Sequence, residues 1–391
     1  MDASAQCQIL DQIPVLYVRG THYEIGLSVG RSLKSMHQDI FGNWDFFNNV
    51  IMKNYATDRG KQIYDDTLRL CESKFPLYVE ELKGLAAGSD VPFHKIFLAH
   101  LDCLMTAPEE DTKNKQIQAD SGCTSILCNA AETIVAQNED AFPEHANNIY
   151  IIVADIVDKS GNRLEKFAAL SYPGMLPGLA MGFNYKGLVF TVNTLVPKET
   201  FDYGTPRFFV TRALLAAANH DEVMNTVLDN GTGVGDGFSI NICYINQENV
   251  SDKPTMYNIE VAPPKKLNED SEFGSVSQVS ARSVPPGEIY VHCNKYLHLL
   301  VPEIDESLTS SINRHEVISK LPQPSTVQLI KNTMSDQSVI DYPVYRRCQT
   351  KGKDGARTVA TGIFDIQKME WSIYVNIPST SKPTVVISLN L

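Results

Sequence analysis

The pair Gly122-Cys123 places a nucleophilic side chain next to a peptide bond that it can attack. Glycine gives the least hindered carbonyl and the widest choice of backbone angles, which suits attack by the thiol on the preceding peptide. Cleavage would give Cys123 a free α-amine with a pKa of about 8, and such an amine can act as the base for its own thiol. The pair therefore predicts self-cleavage between Gly122 and Cys123, followed by attack of Cys123 on an amide bond. Without this context, a cysteine at the start of a strand is simply a small buried residue.

A carboxylate is predicted beside this nucleophile. A strand pattern begins at Cys123, and the segment NAAE that follows it is typical of a hairpin loop. If the hairpin pairs Cys128 with Thr133, Cys123 lies opposite Asn138. Asp140 is then a diagonal neighbour on the same face, about 7 Å away. This register predicts that Asp140 assists Cys123.

The type of secondary structure that the sequence predicts changes along the chain. From Thr21 to about Met105, apolar residues recur every three or four positions, which predicts three or four helices. The polar stretch from Pro108 to Gly122 has too little apolar content to pack and is predicted to be an exposed loop. Beyond it the apolar period is two, interrupted by two helical patterns, RFFVTRALLAAANHDEVMNTVL and PSTVQLIKNTM. These helices are too few to alternate with every strand, so packed sheets with helices outside are favoured over a doubly wound fold.

Composition argues against several classes of function. The chain has 46 acidic and 34 basic residues and a net charge of -12, the wrong sign for binding nucleic acid. It contains neither a secretory signal pattern nor the roughly 18 consecutive apolar residues of a membrane span, so we expect a cytoplasmic protein without a membrane partner. The eight cysteines include no CxxC pair and the nine histidines no HExxH motif. We therefore expect reduced thiols, and neither a metal nor a cofactor.

The segment GLSVG at 26–30 matches the nucleophile elbow of serine hydrolases, which requires a strand before the serine and a helix after it. Thr21 and Glu24 form the pattern of a capping box, which predicts a helix that begins near His22. Ser28 is then inside a helix. The segment is therefore interpreted as a chance match.

The segment GCT at 122–124, followed by NED at 138–140, resembles the isopenicillin-N acyltransferase-like cysteine family of N-terminal-nucleophile hydrolases. Members of that family show Gly-Cys-Thr or Gly-Cys-Ser and then Asn-x-Asp further along the chain. Other segments follow in the family's order, namely GTHYEIG, FNYKGLVFTVN, YNIEVAP, VHCN and TVATGIFD. The resemblance covers nearly the whole chain.

This resemblance implies an α+β fold, the αββα sandwich of two mainly antiparallel sheets flanked by helices. Residues 1–122 would become a small, mainly helical subunit that ends in the exposed loop. Residues 123–391 would become a large subunit with Cys123 at its N-terminus. The two fragments would form one folded unit, an αβ heterodimer.

The resemblance also implies roles for further residues. Asp140 would hold the new α-amine or polarise the cleavage site. Asn193 and Asn294 would donate hydrogen bonds to the oxyanion, although asparagines near strand ends are also common in turns. The family has an arginine near the nucleophile late in the chain, for which Arg346 aligns better than its neighbour Arg347.

The implied activity is hydrolysis of a small cationic N-acyl amine, as in arthropod members of the family that act on β-alanyl conjugates of dopamine or histamine. Two residues depart from the family pattern: Lys295 follows VHCN where many relatives carry histidine, and Gln137 replaces an arginine of the bile-salt hydrolases. The substrate is therefore open to alternatives. The alternatives are hydrolysis of another N-acyl amide, transfer of the acyl group to an amine on the same scaffold, and a non-catalytic binding module that retains only the fold.

Overall fold

A computed structural model of the chain describes residues 11–106, 122–245, 254–267, 274–347 and 355–390. The polar stretch that we predict to be a loop lies outside the described residues, except for Gly122 at its end.

The first part of the chain is helical, as its apolar period predicts. Thr21 and Glu24 form the predicted capping box, so the first helix begins at His22 and contains Ser28. The described helices are α1 (His22–Ser32), α2 (Lys34–Asn43), α3 (Met52–Tyr55), α4 (Asp58–Lys74), α5 (Pro76–Ser89), α6 (Phe93–Leu98), α7 (Arg207–Leu214), α8 (His220–Leu228), α9 (Asp305–Lys320) and α10 (Val327–Met334). A π-helical turn at Phe47–Ile51 precedes α3. In these parts of the chain, no helix is both long and apolar enough to cross a membrane.

One strand precedes the helical part, and the other strands follow it. The strands are β1 (Val15–Gly20), β2 (Thr124–Asn129), β3 (Thr133–Ala141), β4 (Tyr150–Val157), β5 (Arg163–Ser171), β6 (Met181–Asn184), β7 (Leu188–Leu195), β8 (Gly237–Tyr244), β9 (Thr255–Ala262), β10 (Gln278–Ser283), β11 (Ile289–His292), β12 (Arg357–Asp365), β13 (Glu370–Tyr374) and β14 (Val385–Ser388). They form an eight-stranded sheet in the order β1-β4-β5-β6-β7-β8-β9-β10 and a six-stranded sheet in the order β11-β2-β3-β12-β13-β14. The strands pair antiparallel except for the parallel pair β1–β4.

The layers form the αββα sandwich. Strands β2 and β3 of one sheet pack face to face on β7 and β8 of the other. Helix α1 packs on β1 and β4 at the edge of the eight-stranded sheet and α5 packs on α1, whereas α10 covers β3 and β12 on the outside of the six-stranded sheet. Helices α1 and α5 approach closely because glycines without side chains lie at their contact. A Cβ on Gly26 or Gly30 would meet the α5 backbone, and one on Gly84 or Gly88 would meet the α1 backbone.

The β2–β3 hairpin departs from the predicted register by one residue. Cys128 lies opposite Ile134 rather than Thr133, and Thr124 lies opposite Asn138. Because side chains alternate between the faces of a strand, this shift exchanges the residues that face the nucleophile. The apolar pattern could not fix the register, since both strands are buried along their whole length.

Candidate active site

Cys123 directly precedes β2 and lies on the wall of a partly open cavity. Its side chain is buried. In the described part of the chain, the aromatic rings that line the cavity are those of Trp44, Phe142, His145, Tyr172 and Phe208. Such a wall suits a substrate with an aromatic portion.

The thiol of Cys123 contacts a carboxylate. Its Sγ lies 3.1 Å from Oε2 of Glu139 on β3. The hydroxyl of Tyr172 donates to the other oxygen of Glu139 at 2.8 Å, and the side-chain amide of Gln137 donates to Oε2. The carboxylate is therefore held in one orientation against the thiol.

Burial sets the protonation of this pair. It raises the pKa of the Glu139 carboxyl to about 7, although the hydrogen bonds from Cys123, Tyr172 and Gln137 oppose the shift. Burial also raises the pKa of the Cys123 thiol well above its ordinary value, and the carboxylates of Glu139 and Asp140 add to the shift. In the uncut chain the thiol is thus protonated and donates its proton toward Glu139.

The main chain of Cys123 is fixed on its other side. Its carbonyl oxygen accepts hydrogen bonds from Nδ2 of Asn193 at 3.1 Å and from Nη1 of Arg314 at 2.8 Å. Arg314, a buried residue of α9, also donates to Oγ1 of Thr124 and to Oδ1 of Asn294, each at 2.8 Å. The Arg314 guanidinium thus links the backbone of Cys123 to the side chain of Asn294.

Asn193 lies inside β7 and is buried, so it is not a turn residue. Besides the Cys123 carbonyl, its amide group lies 3.4 Å from the carbonyl oxygen of His292. Its own oxygen accepts from the Ser125 hydroxyl at 2.9 Å and from the Asn241 amide at 2.8 Å. These contacts orient the amide group toward the nucleophile. Its role as an oxyanion donor stays a prediction.

Asn294 lies in the loop after β11 and is also buried. Its amide group donates to the carbonyl of Thr194 at 2.9 Å, and its oxygen accepts from Arg314. A Cβ added to Gly122 would collide with the Asn294 side chain. Asn294 is therefore packed against the residue whose peptide bond is predicted to break, and its oxyanion role likewise stays a prediction.

A buried carboxylate holds the loop that carries Asn294. Glu260 of the YNIEVAP segment accepts hydrogen bonds from the backbone N–H groups of Leu297 and Leu299 and lies 3.0 Å from Nε2 of His292. Burial opposes ionisation of Glu260. The hydrogen bonds from His292 and from these backbone groups outweigh it and lower the pKa. Glu260 thus fixes both ends of the segment around Asn294.

Asp140 follows Glu139 on β3, and its carboxylate has partners of its own. Its carboxylate accepts from the Thr358 hydroxyl at 2.6 Å and lies 3.3 Å from Nε of Arg346. Arg346 is buried and also donates to the hydroxyl of Ser310, whereas Arg347 is exposed. The backbone of Asp140 hydrogen-bonds the nucleophile's thiol, an interaction that partly opposes the rise of the thiol pKa caused by burial. Of the two candidate arginines, Arg346 is therefore in the site, where it contacts Asp140.

One group of described residues has the side chains and the spacing to hold a metal ion: Asp102, Cys103 and Asp236. The Arg207 guanidinium already contacts all three, at 2.8 Å from an Asp102 oxygen, at 2.6 Å from the Cys103 sulfur, and also at Asp236. A fixed cation thus occupies the centre of the group, so these residues do not suit a metal.

Sequence reasoning missed two residues that contact Cys123. Glu139 is the middle residue of the Asn-Glu-Asp segment, and the true hairpin register would have identified it. Arg314 belongs to α9, a helix that the apolar pattern did not predict. Its side chain reaches Cys123 across 191 positions of sequence. A contact at that separation leaves no local signal.

The two mainly antiparallel sheets with helices outside form the sandwich of the N-terminal-nucleophile hydrolase fold, and the buried pair Gly122-Cys123 lies at the start of an inner strand. The sequence model of the family described as acyl-coenzyme A:6-aminopenicillanic acid acyl-transferase matches residues 128–380, and the chain belongs to this family. The predicted family and fold class are thereby confirmed.

Similar proteins include a beta-alanyl-dopamine/carcinine hydrolase of Drosophila melanogaster, 34% identical over 379 residues, with 95% of each chain covered. Among solved structures, an ortholog of N-acylethanolamine-hydrolyzing acid amidase from Caenorhabditis elegans is 11% identical, with a TM-score of 0.40, over 63% of this chain and 93% of that one. A conjugated bile acid hydrolase from Clostridium perfringens is 12% identical, with a TM-score of 0.36, over 68% of this chain and 92% of that one.

Proposed function

We propose that this protein hydrolyses N-β-alanyl conjugates of biogenic amines, such as β-alanyl-dopamine and β-alanyl-histamine, to β-alanine and the free amine. The observation that carries this proposal is the similarity to the Drosophila melanogaster hydrolase over 95% of both chains. The cavity beside Cys123 agrees with it, because its aromatic wall suits the ring of the amine portion.

The nucleophile is proposed to arise by self-cleavage. The Cys123 thiol gives its proton to Glu139 and attacks the carbonyl carbon of Gly122. The carbon–nitrogen bond between the two residues breaks, the nitrogen takes up a proton to become the α-amine of Cys123, and water hydrolyses the resulting thioester. The fixed thiol–carboxylate contact and the anchored carbonyl of Cys123 support this sequence of steps.

The matured site then acts on the substrate. The Cys123 thiol, deprotonated by its own α-amine, attacks the β-alanyl carbonyl while Asn193 and Asn294 donate to the oxyanion. The amine leaves with a proton from the Cys123 ammonium, and water releases β-alanine from the thioester. Position supports these roles, since Asn193 contacts Cys123 and Asn294 contacts Gly122.

The fragments 1–122 and 123–391 are proposed to stay together as a heterodimer. Strand β1 of the small fragment pairs with β4 of the large one. The buried Arg212 of the large fragment donates to Glu81 of the small fragment at 3.0 Å and to Glu165 at 2.7 Å. Separating the fragments would leave buried charges without partners, which is costly.

Self-cleavage is tested on the purified protein. We expect two bands on a denaturing gel, of about 13.5 and 30 kDa in proportion to their lengths, and one species in gel filtration. N-terminal sequencing of the larger band is expected to begin at Cys123. Fully active protein that runs only as one intact chain would contradict the mechanism.

The substrate is tested with a panel of amides. Matured protein is offered β-alanyl-dopamine, β-alanyl-histamine, a bile-salt conjugate and a penicillin, and amine release is measured by chromatography. We expect the two β-alanyl amides to be preferred. A tenfold or greater preference for either of the others, about 1.4 kcal/mol in transition-state binding, would overturn the substrate and leave the nucleophile in place. Transfer of the acyl group to an added amine, in place of release of β-alanine, would favour an acyltransferase.

Asp140→Asn is expected to slow self-cleavage about tenfold or more, because it removes the charge that faces Arg346 directly beside the thiol. The rate is read from the appearance of the fragments on denaturing gels, together with urea unfolding as a check of the fold. Thr358→Val is the matched control, since it removes a hydrogen bond to Asp140 but keeps the carboxylate. Self-cleavage at the normal rate in Asp140→Asn would remove this residue from the mechanism.

The protein is proposed to act in the cytoplasm on a small cationic amide, without nucleic acid or membrane as partner. The six cysteines in the described ranges are all free thiols, as in proteins of reducing compartments.

A further inference from the structure

Among the residues that the structure describes, three carboxylates line the cavity beside the nucleophile. Two of them already have a cationic partner on the chain. Asp102 accepts a hydrogen bond from Arg207 at 2.8 Å, and Asp140 lies 3.3 Å from Arg346. The third carboxylate is Glu139.

Glu139 differs from the other two in its partners. Among the described residues its hydrogen bonds come from the thiol of Cys123, the hydroxyl of Tyr172 and the amide of Gln137, all of which are neutral groups. A buried carboxylate without a cation is costly to ionise, which is why burial raises the pKa of Glu139 to about 7. A cation that docks against Glu139 would lower this cost.

The distance between Glu139 and the nucleophile limits where such a cation can lie in a substrate. Oε2 of Glu139 is 3.1 Å from Sγ of Cys123, and a charge-assisted hydrogen bond adds about 2.8 Å. A bound ammonium nitrogen is therefore within about 6 Å of the sulfur that forms the bond to the acyl carbon. In a β-aminoacyl group the nitrogen is about 3.8 Å from that carbon when extended, well within reach.

The orientation of Glu139 agrees with a binding role. Tyr172 and Gln137 fix its carboxylate from two sides, so little side-chain entropy is lost when a cation binds. The ring of Tyr172 packs edge-on against His145 at 5.0 Å, and His145 packs against Trp44 at 5.1 Å. These rings leave an aromatic surface beside the carboxylate for the rest of the substrate.

We propose that Glu139 binds the ammonium group of a short aminoacyl substrate and thereby selects cationic acyl groups over neutral ones of the same shape. This inference rests on the proposed function, since it explains how the β-alanyl portion is distinguished. Glu139 takes this second role in the matured site, where the thiol acts as the nucleophile and no longer contacts the carboxylate.

The test compares two substrates on each variant. N-β-alanyl-dopamine and N-butanoyl-dopamine have acyl groups of the same length, one ending in an ammonium and the other in a methyl group. We expect the wild-type protein to prefer the β-alanyl amide at least about a hundredfold in kcat/KM, and Glu139→Gln to reduce that ratio to within about threefold of one. Damage to the nucleophile itself affects both substrates equally and cancels in the ratio.

Asp102→Asn is the control, because Asp102 lines the same cavity but its charge is already paired with Arg207. Its ratio is expected to stay within about threefold of the wild-type ratio. Fragment formation is checked for each variant. If Glu139→Gln remains uncut, Glu139→Asp carries the test. It keeps a carboxylate to accept the thiol proton but withdraws the charge by one methylene, so the ratio is expected to fall about tenfold.

The inference is overturned if the kcat/KM ratio of the two substrates stays at the wild-type value in the Glu139 variant that matures. It is also overturned if the ratio falls in Asp102→Asn instead. In both cases the proposed function stands. A wild-type protein that matures but releases no amine from any β-alanyl amide overturns the proposed function itself.

Discussion

Cys123→Ala is expected to leave the chain as one uncut polypeptide without measurable amide hydrolysis. The substitution removes the sulfur that would attack both the Gly122 carbonyl and the substrate carbonyl. The fold is expected to persist, because the side chain is small and alanine fills most of its space, at a cost of about 1 kcal/mol. Denaturing gels, amine release and thermal unfolding measure the three expected results.

The matched control is Cys128→Ala. Cys128 lies on β2, the strand that Cys123 directly precedes, and is also buried, but its Sγ contacts the backbone carbonyl of Glu132 rather than a carboxylate. This variant is expected to mature and to hydrolyse the substrate at near wild-type rates. Two normal fragments from Cys123→Ala, or an inactive Cys128→Ala with an intact fold, would show that the nucleophile is assigned to the wrong residue.

Local chemistry made part of the fold predictable. The capping box of Thr21 and Glu24 satisfies backbone N–H groups at the start of a helix, so two side chains are enough to fix where α1 begins. The change of apolar period after the polar stretch likewise predicts the switch from helices to packed sheets. Both signals arise within a few neighbouring residues, and both are confirmed.

The strand register was not predictable in the same way. On a half-buried strand the apolar face fixes the register, but β2 and β3 are buried on both faces and lack that signal. The pairing of Cys128 with Ile134 then depends on the hairpin loop and on contacts with β12 and α10. A shift of one residue brought Glu139 rather than Asp140 to the thiol.

The arginine at the nucleophile shows a second limit of local patterns. Helix α9 is rich in polar residues, so its apolar period was too weak to predict it. The family resemblance indicated an arginine late in the chain, and Arg346 was the candidate. The structure places Arg346 against Asp140 and Arg314 against the Cys123 carbonyl. The family resemblance thus predicted an arginine in the site. It did not predict how many arginines lie there or which one contacts the nucleophile.

The second large effect is expected at Arg314. Arg314→Met keeps much of the side-chain volume but removes the donors to the Cys123 carbonyl, the Thr124 hydroxyl and the Asn294 oxygen. We expect a loss of turnover of about a hundredfold or more, because a displacement of about 1 Å at a nucleophile is enough to produce it. Stability should fall by about 1–3 kcal/mol for a buried acceptor that is left without a donor.

Three variants separate positioning from packing. Arg314→Lys keeps a positive charge but lacks the planar fork that reaches several acceptors at once, so its turnover is expected to lie between those of wild type and Arg314→Met. Arg347→Met is the control, since Arg347 is exposed, and should match wild type. Turnover is measured on the matured fraction and stability by urea unfolding. If Arg314→Met loses stability but retains turnover within about threefold, the guanidinium only supports the fold. If the loss of turnover is much larger than the loss of stability can explain, the guanidinium acts by holding the carbonyl of Cys123 in place.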